Sequence, residues 1–518
     1  MADTSMSDKP QIQSYTAPNR EIYSWALGGV ALNALICTYG QAMNILIVGL
    51  GMKAWIVSLT MMLPRIVDAM VDPFMGHLSD NTHTRWGRRK PFLVLGCLLA
   101  SVFLFLLWFG NKEWSKMAQI VHLGSIGILF YTSWGLYSMA YTAFGYELTD
   151  DYNERSRIAS IGGMVTSAVL LLNGGVFWFT LRPLFQQGVG ATISDLFSQG
   201  LNFGHMGDVL RGAFATVEGA ANDQINGIRW VTGLVIASSV FVVFLMVKTC
   251  RERFVAVNPK KHSSIGVALK ETFRNRPFVD LMIYKLCQLF GERVFQGMLF
   301  YVALYHVCHG DKSEVGKWLF VGGAFGSVTT FFVLPFLKPL SMKLGKRAGL
   351  IITSMLALVL LIIQPLILNP RFPGLLLMPM LLLPVLSVLS TTLLNAIIPD
   401  ICDLDELEHG ERREGLFTAV GAFMNKLEIS LSLGIVGGLL WLAGVNESSA
   451  TQEPWVIKNL LWLAIAPGVF FTACALLASY RFKMTGADVE EVRKKLQARR
   501  VAKEASENEA AIGLGEHA

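Results

Sequence analysis

Charge is scarce in this chain. Asp, Glu, Lys and Arg make up only 16% of its 518 residues, against 53% hydrophobic ones, and the mean hydropathy is +0.47. A soluble domain carries about a quarter of its residues charged, so a water-soluble globular protein is excluded and a polytopic membrane protein is implied. Cysteine is equally uninformative: Cys37, Cys97, Cys250, Cys287, Cys308, Cys402 and Cys474 are odd in number and scattered, with no C-x-x-C pair. Neither a disulfide framework nor a metal-type spacing follows, and they read as small apolar residues. The chain also lacks H-E-x-x-H, G-x-S-x-G and nucleotide-binding motifs, which argues against an enzyme or a nucleotide-driven pump and calls for no cofactor. Residues 1–20 are polar and contain Pro10 and Pro18, so no cleavable signal peptide is expected.

What is present is a succession of apolar runs of about 20 residues or more, the length that spans a bilayer. Twelve are expected, centred near residues 36, 65, 100, 133, 168, 239, 292, 326, 357, 384, 429 and 468. Lys and Arg cluster in alternate loops, as at Arg85, Arg88, Arg89 and Lys90, at Arg251 and Arg253, and at Lys343, Lys346 and Arg347. The positive-inside rule makes these loops and both termini cytoplasmic. The same asymmetry accounts for the net charge of +6 without nucleic acid. The expected layout is a cytoplasmic tail at 1–21, a six-helix bundle at 22–249, a polar linker at 250–276, a second six-helix bundle at 277–482 and a cytoplasmic tail at 483–518. Gly87-Arg88-Arg89 and Gly345-Lys346-Arg347 each follow the second span of their half, a short echo of duplication, and two such halves around a midplane site are a common transporter plan. Residues 182–227 read as an outer loop, and 488–505 as a helix that is solvated or lies on the membrane surface.

The second span carries three charges, in the order Arg65-Ile-Val-Asp68-Ala-Met-Val-Asp72-Pro73. Each costs about 2.5–3.5 kcal/mol at a membrane helix centre, so an ion or substrate pathway is the default reading. The two carboxylates are one turn apart on a helix, with Arg65 three residues before Asp68. One guanidinium cannot balance both. The pair therefore binds a further cation, shares a proton or meets a basic residue from another helix. Lys426 is a second intramembrane cation, about eleven residues into an apolar run, and a helix-to-helix salt bridge is its bland role. The seventh span holds Lys285, Glu292 and Arg293. That group either attracts an anionic substrate such as a uronide, or Glu292 pairs with Lys285, Arg293 or a neighbouring helix. Asn33, Gln41 and Asn44 in span one, Trp134, Tyr137 and Tyr141 in span four, and Asn395 in span ten offer amides and rings suited to a polyol. Bridging between helices is the competing role for each.

After Gly76 come Asp80, then Arg85-Trp86-Gly87-Arg88-Arg89-Lys90-Pro91. That order resembles the loop between helices two and three of the major facilitator superfamily, where the acid and the arginines form a cytoplasmic gate latch. With Arg65-x-x-Asp68-x-x-x-Asp72-Pro73-x-x-Gly76, the stretch from Glu147 to Arg155 and the stretch from Asp403 to Lys426, the chain resembles the glycoside-pentoside-hexuronide:cation symporters, the melibiose-permease-like family. The resemblance implies an all-α membrane protein with twelve transmembrane helices in two six-helix halves and the major facilitator superfamily fold. It implies symport of a sugar or glycoside coupled to Na+ or H+ by alternating access. Asp68 and Asp72 would be the cation-coupling carboxylates, and the metal ligands if the ion is sodium. Arg65 would be their neighbour and Lys426 the basic residue of helix eleven, with Gly76, Asp80, Arg85, Gly87, Arg88 and Arg89 the gate. Asn33 and Ala140 stand where melibiose-type members carry sugar-binding acids, so the usual galactoside site is absent. Tyr137 replaces a hydroxyl that helps hold sodium, which opens proton coupling, and Phe144 stands where a Trp lies near the sugar. The expected partners are a small sugar-like solute and membrane lipid, with no nucleic acid, for a monomer in a cell membrane, the inner one if the source is Gram-negative. A lysolipid or other organic-solute symporter on the same fold, and a transport-inactive solute sensor, are the competing readings.

Overall fold

The computed structural model describes residues 17–82, 84–111, 113–149, 152–182, 185, 224–252, 275–409, 414–484, 488–499 and 501. Twelve long helices run through them: α1 Asn19–Gly40, α2 Ala54–Asn81, α3 Lys90–Leu107, α4 Lys116–Glu147, α5 Tyr152–Phe179, α6 Gln224–Thr249, α7 Arg276–Val302, α8 Lys312–Leu344, α9 Lys346–Ile362, α10 Leu377–His409, α11 Glu414–Ala443 and α12 Pro454–Arg481. Each of the twelve expected span centres falls within one of these helices or, at residue 36, inside the first. Eight stretches meet both the length and the apolarity needed to cross a membrane. The expected linker at 250–276 and outer loop at 182–227 lie almost wholly outside the described residues.

Local chemistry sets the helix ends. Pro91, Pro277 and Pro454 occupy first-turn positions of α3, α7 and α12, where a missing N–H loses no hydrogen bond. The Asn275 side chain accepts from the Phe278 N–H at 3.1 Å and caps α7. Gly444, at φ +81°, ends α11 in the left-handed conformation that glycine adopts without strain.

The chain packs as two units. One takes the described residues of Met1–Ala42, Met70–Asn111 and Val121–Pro259, the other those of Met43–Ala69, Lys112–Ile120 and Lys260–Ala518. In the first, α1 lies against α5 and α6, and α6 against α3. Trp25 is its pivot: the indole stacks on Tyr141 at 4.9 Å and donates to the Tyr141 carbonyl at 3.2 Å. In the second, α7 packs on α12 and α11, and α10 on α8 and α9. Its core gathers Phe278, Leu281, Tyr284, Leu350, Leu394 and Phe417.

The helical tail is docked on the second unit, and a purely solvated helix does not describe it. Val492 and Leu496, one turn apart, are buried. Between them Arg493 donates to Asp400 of α10 at 3.0 Å, and Lys346 of α9 pairs with the same carboxylate. An apolar i, i+4 stripe flanked by a shared ion pair is what seats the tail.

Candidate functional site

Small residues bring α2 and α11 together inside the second unit. A Cβ on Gly437 would stand 1.9 Å from Ser58 Oγ, and one on Gly434 would stand 2.4 Å from Met62 Sδ. Farther along, Lys426 meets Asp68. The pairs 58 with 437, 62 with 434 and 68 with 426 run in opposite senses, so the helices are antiparallel and in register. Glycine permits that approach in an apolar medium, and the approach delivers the charges. Lys426 Nζ lies 2.8 Å from Asp68 Oδ2, and Arg65 Nη1 lies 4.0 Å from the same oxygen. Asp68 is 2% exposed. Of the three fates open to the carboxylates, Asp68 meets a basic residue of another helix. The Asp72 side chain lies outside the described ones.

A second acid, Glu428, sits two residues beyond Lys426 and is 1% exposed. Arg293 Nε of α7 is 3.2 Å from its Oε1, and Lys285 and Arg65 are its further electrostatic neighbours. Lys285 donates to the Gly421 carbonyl at 2.9 Å. Glu292 Oε1 accepts from Gln288 Nε2 at 2.7 Å, and Arg293 acts on Glu292 electrostatically while its ion pair is with Glu428 of α11, since Arg293 follows Glu292 by one residue and so points to a different face.

The polyol candidates of the first unit are tied to backbone. Tyr137 is fully buried and donates to Gly28 O at 2.8 Å. Trp134 Nε1 donates to Leu32 O at 2.9 Å, and Asn33 Nδ2 to Gly29 O at 2.8 Å. Tyr141 stacks on Trp25, and Phe144 is buried. Gln41 is half-buried at the end of α1, and Asn395 is exposed on α10. Inside an apolar bundle a donor that finds no water takes a backbone carbonyl, of the next helix for Tyr137 and Trp134 and of its own helix for Asn33.

The basic loop after α2 is built around two acids of the first unit. Glu147 of α4 takes Arg88 as an ion pair and Arg89 at 3.3 Å. Glu252 accepts the backbone N–H groups of Arg88, Arg89 and Lys90, an anion at the amino terminus of α3. Arg85 is exposed; Gly76 and Asp80 lie on α2, and the Asp80 side chain is outside the described ones. Gly87 adopts φ +111°, and a Cβ there would stand 1.8 Å from Glu252 Oε2. Gly87→Ala is expected to lower stability by about 1–3 kcal/mol, read as a drop in melting temperature. Gly438→Ala, with nothing within 4 Å of the added carbon, should stay within about 0.5 kcal/mol.

The sequence model of the family described as MFS/sugar transport protein matches residues 25–486. The chain belongs to that family. An uncharacterized symporter of Synechocystis is 26% identical over 508 residues, covering 87% of this chain and 91% of that one. The isoprimeverose transporter of Lactiplantibacillus pentosus is 24% identical, covering 90% and 89%. Among solved structures, a bacterial homologue of the human lysosomal transporter Spinster matches with a TM-score of 0.60 at 14% identity, covering 91% of this chain and 97% of that one. At that identity the likeness shows the fold, that of the major facilitator superfamily.

The protein is thus a membrane transporter and not an enzyme. In this MFS/sugar transport protein, sequence reasoning missed Glu428, although Lys426-Leu-Glu428 lies in one apolar run and the rule that singled out Lys426 applies equally to it. It also missed Gln288, Ser354 and Ser390, uncharged residues with no signal until helices face one another.

Proposed function

We propose that this transporter carries a sugar or glycoside in symport with a cation, and that Asp68, Asp72 and Lys426 couple the two. The observation that carries this reading is the Lys426–Asp68 contact of 2.8 Å inside an apolar helix pair. The Lys426 ammonium pairs with the Asp68 carboxylate, and a coupling cation competes with it for that carboxylate. Each cation event then changes the tie between α2 and α11, the kind of breakable contact that alternating access needs. Proton coupling is favoured over sodium because Tyr137 stands where the resembled symporters carry a hydroxyl that helps hold sodium. The transporter lies in the cell membrane with both termini cytoplasmic, works as a monomer surrounded by lipid, and takes small uncharged or anionic sugars. The relative named as an isoprimeverose transporter supplies the first substrate probe. Linkage requires that if the cation tightens substrate binding, substrate tightens cation binding equally.

The test is thermal stabilisation of the purified protein by sodium, lithium and potassium across pH, for the native chain, Asp68→Asn and Asp72→Asn, followed by isoprimeverose uptake into vesicles under an imposed proton or sodium gradient. Proton coupling predicts no selectivity among the metal ions and a pH dependence that both variants lose. Selective sodium stabilisation abolished in both would transfer the site to sodium. Uphill uptake preserved in either variant would remove the aspartates from coupling.

A further inference from the structure

Glu292 lies in the middle of α7 and is 1% exposed. Its two oxygens are unlike. Oε1 accepts from Gln288 Nε2 at 2.7 Å, while Oε2 is buried with no hydrogen-bond partner among the described residues. Gln288 in turn is oriented, because its Oε1 accepts from the Ser354 hydroxyl of α9 at 3.0 Å, which fixes the amide with its N–H toward the carboxylate. The Ser354 and Tyr284 hydroxyls are 3.1 Å apart, and Tyr284 reaches Leu350 O at 3.4 Å and Ser390 Oγ of α10 at 3.5 Å. A polar track of four side chains therefore crosses the interior of the second unit and stops at one carboxyl group.

The titratable groups around Glu292 form no ion pair with it among the described residues. On its own helix Arg293 attracts it electrostatically but pairs with Glu428, Lys285 donates to Gly421 O, and Tyr284 is held in the hydroxyl track. From α11 the facing charge is Glu428, a like charge. α10 presents the Ser387 hydroxyl beside the carboxylate, α9 presents Ser354, and α12 presses Gly468 and Thr472 against Gly291, where a Cβ would stand 3.1 Å from Gly468 O. An ionised carboxylate in such a place, with only the neutral donors Gln288 and Ser387 beside it and no cation in salt-bridge reach among the described residues, faces a desolvation cost that uptake of a proton removes.

We propose that Glu292 is a proton-binding site of this transporter, separate from the Asp68–Lys426 pair, in which the proton resides on Oε2 and Oε1 is the carbonyl oxygen that accepts from Gln288. The inference does not rest on the coupling roles of Asp68 and Asp72. Because the track joins α7, α9 and α10, loss of this proton places a charge at the junction of three helices, so the site gates how those helices pack.

Infrared spectroscopy of the purified protein in lipid, recorded against pH in light and heavy water, reads the carbonyl stretch of a protonated carboxylic acid directly. The native protein is expected to show such a band at neutral pH. Glu292→Gln should lose it, with a monodisperse gel-filtration profile as the folding control, and Asp68→Asn should keep it. Gln288→Leu should keep the band and move it to higher frequency, because the carbonyl loses its donor. This second variant tests the assignment even if Glu292→Gln fails to fold. No band in the native protein, a band surviving in a folded Glu292→Gln, or a frequency unmoved in Gln288→Leu would each overturn the proposal.

Discussion

Lys426→Ala is expected to lower the stability of the purified transporter by about 3–5 kcal/mol and to abolish uphill uptake. Asp68 is buried, with the Lys426 ammonium 2.8 Å away and the Arg65 guanidinium next at 4.0 Å. Removing the nearer cation leaves a carboxylate inside an antiparallel helix contact that glycines have closed to within van der Waals distance. Breaking a buried pair from one side is far more damaging than removing both members, since the cost arises from the charge left behind. Adding Asp68→Asn to Lys426→Ala should therefore recover most of the lost stability and none of the coupling. Thermal melts of the native protein, the two single variants and the double variant measure the interaction directly. A double variant no more stable than Lys426→Ala would mean that the contact is not what holds these side chains in place. Gradient-driven uptake in the same four proteins separates coupling from folding. A stable double variant that still concentrates substrate would show the pair to be structural.

The fold was legible because a bilayer imposes one length and one period. Each of the twelve span centres read from apolar runs lies in the helix expected there, and prolines at 91, 277 and 454 mark the helix starts that the residue type alone suggests. Of the candidate site, Asp68, Arg65 and Lys426 were legible for the same reason: a charge in an apolar run stands out. Their meeting across two helices was not legible, because it depends on Gly434 and Gly437 facing Met62 and Ser58, a register that no single run encodes. The aromatic and amide candidates differ. Tyr137, Trp134 and Asn33 have the chemistry of a sugar site, and each also donates to a backbone carbonyl of the first unit, a packing contact that residue type alone does not reveal. The tail was read from its charges, while its placement follows from Val492 and Leu496, two apolar residues too few to raise the hydropathy of the segment.

Two buried acids, both about 1% exposed, should respond unequally to the same substitution. Glu428 faces Arg293 at 3.2 Å, with Lys285 and Arg65 beyond it. It is the counter-charge of three cations, and Glu428→Gln leaves them facing one another in a medium of low dielectric. The Arg293 side chain is 45% exposed, so solvent screens part of that loss, and an expected destabilisation of about 1.5–3 kcal/mol follows from removing a charged hydrogen-bonding partner. Glu292→Gln replaces a neutral carboxylic acid by a neutral amide of the same shape, with Gln288 still able to donate to its carbonyl oxygen. It should change stability by less than about 0.5–1 kcal/mol. The ranking, and not either value alone, is the sharp test, because both sites are equally buried and the substitution is identical. Melting curves of the two variants at neutral pH decide it. If Glu292→Gln is the more destabilising, Glu292 is ionised and the charge it balances lies among the cations of α7. If Glu428→Gln is the more destabilising and its loss shrinks in high salt, the screened partner is Arg293.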